Sequence, residues 1–162
     1  MALFGELFDE WGPAELLDEQ GKILAAAPIP AGLEKEEKEQ YAEAIIEYRR
    51  AVQADPRLGE ARLQLAFAYA STGDGINALR EYVRAADLLP ENKEAQQRAG
   101  AFMLMAGQFN DAQGLAERML KRNPNDVEAH LLLANALAGL KDMDGAVASF
   151  EKATVVPATG TR

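Results

Sequence analysis

The stretch that decides the fold is residues 60–90, which read EARLQLAFAYASTGDGINALREYVRAADLLP. Its first half is rich in Ala and Leu and apolar on more than one face, which is typical of a buried helix. Gly73 and Gly75 then interrupt the pattern and predict a turn. In the second half, apolar residues recur at spacings of three and four as far as Pro90, and proline ends a helix. The stretch is therefore predicted to form a helix, a turn and a second helix.

The same pattern recurs along the chain at a fixed period. Pro56, Pro90 and Pro124 are spaced by 34 residues, and each follows a segment with helical periodicity. A fourth copy runs to about Pro157, where the phase slips by one residue. The turn glycine recurs in the third copy, whereas the fourth copy has Lys141 at that place. A constant period of this length predicts an array of helical repeats.

Small and aromatic residues recur at fixed places within the copies, and in this respect the chain resembles the tetratricopeptide repeat family. That family has a Leu-Gly or Leu-Ala pair and an aromatic residue in its first helix. Its second helix carries Ala, an aromatic residue and Ala before a proline. The matching residues are Tyr41, Ala44, Tyr48 and Ala51 in the first copy, Leu65, Ala66, Tyr69, Ala78, Tyr82 and Ala85 in the second, Ala99, Gly100, Met103, Phe109 and Ala112 in the third, and Leu133, Ala134, Leu137, Ala146, Phe150 and Ala153 in the fourth.

The resemblance covers residues 41–157 and implies an all-α fold. It implies a right-handed α-solenoid of about 3.5–4 repeats with an N-terminal helical extension, in a style typical of bacterial members of the family. The expected organisation is an amphipathic extension and Pro/Gly linker at residues 1–32, a repeat array at 33–157 and a tail at 158–162. Within the array, the second helix of repeat 1 is expected at about 39–54, repeat 2 at 59–92, repeat 3 at 93–126 and repeat 4 at 127–157.

Composition disfavours several classes of function. The chain has no cysteine and one histidine, so we expect no metal site and no cofactor. The net charge of −9 argues against nucleic acid as a partner. No apolar run is long enough to span a bilayer, so we expect a soluble protein without membrane insertion, cytoplasmic or, if a leader was removed, periplasmic. No motif sets a nucleophile or an acid beside His130, so we expect no catalytic residue and no enzyme activity.

The resemblance also implies a concave groove that binds peptides, formed by the first helix of each repeat. The family's carboxylate-binding Lys and Arg are missing from the groove places, where only Asn135 conforms. We therefore expect an apolar groove rimmed by Glu60, Glu94 and Glu128, suited to an amphipathic helix or an apolar extended segment. For any one of these residues, packing in the core is an equally good interpretation. The candidate groove residues are Leu63, Phe67, Gln97, Ala101, Leu104, Met105, Leu131 and Asn135.

The two ends of the sequence suggest association. Residues 1–11 have the spacing of an amphipathic helix with an aromatic stripe, Phe4, Leu7, Phe8 and Trp11. This segment either caps the array or acts as a helical ligand that enters a groove and gives self-association. Residues 1–40 hold ten acids and three bases, a composition that also permits a foreign segment joined to a repeat array. At the other end, Val147 and Phe150 are expected to be partly exposed, since no polar capping helix follows Ala153.

Three hypotheses about function follow. The first is a scaffold that binds a protein or peptide partner. The second is a homo-oligomeric assembly subunit that associates through the front helix and the last repeat. The third is a regulatory fragment of a larger enzyme, with no chemistry of its own. Fold alone never identifies a partner, so the sequence favours the first without naming what is bound.

Overall fold

The computed structural model describes residues 35–155, and between them the chain forms seven α-helices and no strand. The all-α class predicted from the sequence is therefore confirmed. Contacts divide the chain into two compact units, Met1–Glu91 (unit 1) and Asn92–Arg162 (unit 2). Unit 1 contains α1 (Lys35–Ala54), α2 (Gly59–Ser71) and α3 (Gly75–Leu88), and unit 2 contains α4 (Lys93–Met105), α5 (Phe109–Arg122), α6 (Val127–Gly139) and α7 (Met143–Thr154).

The turns inside repeats 2, 3 and 4 have the same backbone geometry. Gly73, Gly107 and Lys141 have positive φ values of 84°, 73° and 65°. In each turn the next residue's N–H donates back to a carbonyl five residues earlier, as Asp74 does to Tyr69 at 2.8 Å and Asp142 to Leu137 at 2.9 Å. The helix thus ends with one residue in the left-handed conformation, and the hydrogen bond satisfies a carbonyl that the helix itself leaves unpaired. The turns that the 34-residue period predicted are therefore present, including the one in which lysine replaces glycine.

The second helices of successive repeats also end at equivalent positions. α1, α3 and α5 end at Ala54, Leu88 and Arg122, two residues before Pro56, Pro90 and Pro124. Asn92 and Asp126 then begin the next helices by accepting hydrogen bonds from the N–H groups of Ala95 and Ala129, at 2.9 and 3.1 Å. Proline therefore stops one helix, and a side-chain cap starts the next in α4 and α6, whereas α2 follows Leu58 without such a cap.

In unit 1, α2 packs against both α1 and α3. Ala44 and Tyr48 of α1 form a buried cluster with Leu65 and Ala68 of α2. Burial raises the pKa of Tyr48 to about 12, and the neighbouring Tyr41 adds to the shift. The alanines let the two helices approach, and the tyrosine ring fills the space beside them, as the repeat pattern predicts.

In unit 2, α6 packs against α4, α5 and α7. Two glycines of unit 2 lie against large side chains of a neighbouring helix: a Cβ on Gly100 of α4 would lie 2.6 Å from Cδ2 of Leu132 on α6. A Cβ on Gly139 would lie 2.3 Å from Cδ1 of Phe109. Glycine at these two positions therefore lets a large side chain of the neighbouring helix rest on the backbone.

Candidate protein-interaction surfaces

The two candidate groove residues of unit 1 are buried. Leu63 is 3% exposed and Phe67 is 2% exposed. The ring of Phe67 meets the edge of the Tyr82 ring on α3, with centroids 5.6 Å apart and planes at 81°. This geometry is a favourable aromatic contact within a core. In unit 1, therefore, these two side chains have the packing role that the sequence left open as the alternative.

The six candidate groove residues of unit 2 are accessible to different degrees. Met105 is 66% exposed and Leu131 is 38% exposed, and Asn135 is exposed as well. The remaining three, Gln97, Ala101 and Leu104, are half-buried. They lie on α4 and α6, two helices that contact each other. We call the six residues Gln97, Ala101, Leu104, Met105, Leu131 and Asn135 the α4/α6 face.

Spacing along each helix explains how the α4/α6 face forms. Gln97, Ala101 and Met105 follow one another at intervals of four, which puts them on one side of α4. Leu131 and Asn135 have the same interval on α6, and the Asn135 amide donates to the Leu131 carbonyl at 2.9 Å. This hydrogen bond occupies one of the two N–H donors of the amide within its own helix. The α4/α6 face is thus an apolar surface with two amide groups.

Ion pairs modify the acidic rim that the sequence predicted. In unit 2, Lys93 lies 2.9 Å from Glu128, and Arg98 lies 3.2 Å from Glu94. Burial acts to raise the pKa of Glu128, but the hydrogen bond and charge of Lys93 outweigh it, so this pKa is lowered. The same hydrogen bond raises the pKa of Lys93. Both glutamates of this rim are therefore partly neutralised by basic neighbours.

Two residues at equivalent repeat places make the same unexpected contact. Arg62 and His130 are 68 residues apart, and each is the fourth residue of the first helix of its repeat. The Arg62 Nε donates to the carbonyl oxygen of Pro56 at 2.9 Å. The His130 Nε2 lies 2.8 Å from the carbonyl oxygen of Pro124, and it must donate because a carbonyl oxygen only accepts.

A cleft lies over each of these side chains. The cleft in unit 1 has a volume of about 350 Å³, and that in unit 2 about 680 Å³. Arg62 forms a buried ion pair with Glu81 in the first, with Arg62 Nη1 2.6 Å from Glu81 Oε2. In the second, His130 Nδ1 is buried without a hydrogen-bond partner in the part of the chain that the structure describes. Neither cleft was predicted from the sequence. The signal was an arginine at a buried repeat place, since such a charge requires a partner.

The last helix presents an apolar stripe. Met143, Val147 and Phe150 are exposed, and their spacing puts them on one side of α7. The exposure expected for Val147 and Phe150 is therefore confirmed. The predicted self-association residues Phe4, Leu7, Phe8 and Trp11 lie outside the described residues.

Residues 35–155 also bear on metal binding and membrane crossing. No three acidic or histidine side chains in this part of the chain are grouped so as to hold a metal ion. None of its helices has the length and apolar character needed to cross a membrane.

Comparisons with known proteins agree with the fold. Two family models described as tetratricopeptide repeat match residues 31–58 and 104–159. The human protein named Superkiller complex protein 3 is 29% identical over 122 residues, which are 70% of this chain and 8% of that protein. The chain thus spans a small part of its human relative.

Solved structures give the same result. "MamA 41-end from Desulfovibrio magneticus RS-1" is 24% identical with a TM-score of 0.59, and the match covers 72% of this chain and 66% of that chain. "Crystal structure of MamA" is 23% identical with a TM-score of 0.61, covering 77% of this chain and 73% of that chain. At these identities the likeness concerns the fold alone.

Repeated helix pairs with short turns define an α-helical repeat protein, a class whose fold supports protein–protein interaction. The chain belongs to the tetratricopeptide repeat family.

Proposed function

We propose that this chain is a non-catalytic protein-interaction scaffold that binds a helical or apolar peptide on the α4/α6 face. The observation that carries the proposal is the exposure of Met105 and Leu131 on two helices that pack together. Methionine adapts its shape to different apolar partners, and leucine adds apolar area at low entropic cost. Such a surface suits a helix that presents apolar residues at intervals of three and four.

The bound peptide is expected to have basic flanks. The chain carries a net charge of −9, which attracts positively charged segments over several ångströms. Glu94 and Glu128 lie on the same helices as the α4/α6 face. Glu128 keeps part of its negative potential, because the Lys93 side chain that pairs with it is 62% exposed and therefore screened by solvent. The name of the human relative marks it as a member of a protein complex, which supports a role in assembly for this chain.

Fluorescence anisotropy tests the proposal with a defined peptide. The probe is a labelled peptide of Leu and Lys, roughly fourteen residues long, with leucines at i, i+3, i+4 and i+7. We expect saturable binding that weakens at least tenfold in the double variant Met105→Glu/Leu131→Glu, because two carboxylates would be desolvated against leucine. The matched control is Ile76→Glu, which changes an exposed apolar residue of unit 1 and is expected to leave binding intact.

Two outcomes would refute the proposal. One is equal binding by the wild type and the Met105→Glu/Leu131→Glu variant. The other is equal binding of a peptide of the same composition whose leucines alternate with lysines, since that peptide presents no helical apolar stripe.

A second candidate is a homo-oligomeric assembly subunit, and the α7 stripe of Met143, Val147 and Phe150 favours it. Three exposed apolar residues on one side of a helix form a surface that a second copy can cover. In this proposal the front segment, with Phe4, Leu7, Phe8 and Trp11, contributes a second contact.

Light scattering after size-exclusion chromatography tests this candidate. At tens of micromolar, self-association predicts a mass above that of one chain, and Val147→Lys/Phe150→Lys is expected to restore the monomer. Phe8→Ala/Trp11→Ala tests the contribution of the front segment in the same way. A monomeric wild type at that concentration contradicts self-association and leaves the scaffold as the function.

A further inference from the structure

The cleft in unit 1 gathers positive charge. Residues 35–91 carry eight Lys and Arg residues, and four of them, Arg49, Arg62, Arg80 and Arg84, line this cleft of about 350 Å³. The cleft lies between α1, α2 and α3, and Glu81 is its only acidic lining residue within the described part of the chain. We call this feature the arginine cleft. Four guanidinium groups opposite one carboxylate leave an excess of positive charge in a chain that is acidic as a whole.

Glu81 is already engaged by the innermost arginine. Its side chain is 6% exposed, and Arg62 donates to it at 2.6 Å while also donating to the Pro56 carbonyl. Arg62 and Glu81 therefore form an ion pair without net charge at the floor of the cleft. Arg80 and Arg84 lie farther from the Glu81 carboxylate, at 3.7 and 3.5 Å. At these distances the charge of Glu81 attracts both arginines, but neither forms a hydrogen bond to its carboxylate.

Arg80 donates one N–H to the Asn77 side-chain oxygen, and the outer arginines keep further N–H donors exposed. The side chains of Arg80 and Arg84 are 56% and 54% exposed, and Arg49 on α1 is exposed as well. Asp74, at the start of α3, is close enough to be affected by this positive charge. Hydrogen bonds from Asn77 are the main cause of its lowered pKa, and the charge of Arg80 adds to the shift. Arginine presents a planar fork of N–H groups that matches a carboxylate with two parallel hydrogen bonds.

We infer that the arginine cleft binds an Asp- and Glu-rich segment of a partner protein. The volume admits one or two side chains at a time, which fits an extended segment lying between α1 and α3. A short segment brings its carboxylates to the arginines alone. A nucleic acid strand is disfavoured, because the chain as a whole carries a net charge of −9 and repels an extended row of phosphates. This surface has the opposite charge preference to that of the α4/α6 face, and its partner is different.

Fluorescence anisotropy on the full chain tests this inference. The probe is a labelled peptide of about eight residues that consists of Asp, Glu and Gly. We expect binding at low ionic strength that weakens at least tenfold between about 50 and 300 mM salt, because exposed charges are screened. Arg49→Glu and Arg84→Glu are each expected to weaken binding at least tenfold. Arg49→Gln and Arg84→Gln remove the charge without adding a carboxylate and serve where a reversed charge disturbs folding.

Arg50→Glu is the matched control. Arg50 follows Arg49 on α1, has a 70% exposed side chain that pairs with Glu47, and is absent from the cleft lining. We expect it to change binding by less than about threefold, since it alters only long-range potential. Three results overturn the inference: equal loss in Arg50→Glu and Arg49→Glu, no binding at low salt, or tighter binding of an RNA octanucleotide or a phosphoserine peptide than of the carboxylate peptide.

Discussion

The clefts of the two units share one contact to the backbone but differ in the side chains around it. Arg62 and His130 stand at equivalent repeat places, and both reach the carbonyl of the proline six residues before them. Their second partners differ. In unit 1, Glu81 forms an ion pair with Arg62. The equivalent place in unit 2 holds Ser149, and Nδ1 of His130 has no hydrogen-bond partner in the described part of the chain. These two repeats share the contact to the proline, and the second partner of the side chain differs between their clefts.

The largest expected effect concerns the buried ion pair. Glu81→Gln leaves the Arg62 guanidinium buried opposite an uncharged amide, so the free energy of unfolding is expected to fall by about 3–5 kcal/mol. Urea unfolding followed by circular dichroism measures this. Glu47→Gln is the control, because its pair with Arg50 is exposed and contributes less than about 1 kcal/mol. A loss below about 1 kcal/mol in Glu81→Gln would mean that the pair is not desolvated as the structure indicates.

A transplant of the ion pair sharpens the comparison. His130→Arg and Ser149→Glu each place a charge in a buried position of unit 2, and each alone is expected to be destabilising. Together they recreate the arrangement of Arg62 and Glu81. We expect a coupling free energy of about 2 kcal/mol in the double-mutant cycle. Additive effects of the two substitutions would show that equivalent repeat places do not bring these side chains together.

The turns of the two units offer a smaller test. Lys141 has a positive φ where unit 1 has Gly73, and this conformation is unfavourable for a residue with a Cβ. Lys141→Gly is therefore expected to raise the free energy of unfolding by about 1 kcal/mol. The reverse exchange, Gly73→Ala, is expected to lower it by a similar amount. Unchanged stability in both variants would contradict the shared turn geometry.

The exposed ion pair of unit 2 has the smallest expected effect. The lowered pKa of Glu128 and the raised pKa of Lys93 mean that the pair stabilises the fold between about pH 5 and pH 10. Its contribution falls as Glu128 takes up a proton below this window and as Lys93 loses one above it. Both side chains are well exposed, so Lys93→Ala is expected to cost about 0.5 kcal/mol at pH 7 and nothing at pH 2. A cost that persists at pH 2 would assign the effect to packing.

The sequence predicted the helices and turns well, for a local reason. Prolines end helices, and glycines permit positive φ, so the 34-residue period located both kinds of turn. The period even located the turn at Lys141, where the residue itself gave no such signal. These features depend on residues close in sequence.

The surface was harder to predict, because exposure depends on neighbours distant in sequence. Leu63 and Leu131 are the same residue at the same repeat place, yet the first is buried and the second is 38% exposed. The Arg62–Glu81 pair joins residues 19 apart in the sequence. No repeat pattern distinguishes the buried Glu81 from the glutamates that lie on the surface. A buried arginine implies a carboxylate partner but does not say which one.

Methionine methyl NMR tests the central claim, that the α4/α6 face holds a peptide. The described methionines include two internal standards, since Met103 and Met119 are buried while Met105 and Met143 are exposed. With the Leu/Lys peptide, we expect a saturable shift of the Met105 methyl signal and no movement of the Met143 signal. A Met105 signal that stays fixed while the Met143 signal moves with protein concentration would contradict peptide binding and favour self-association through α7.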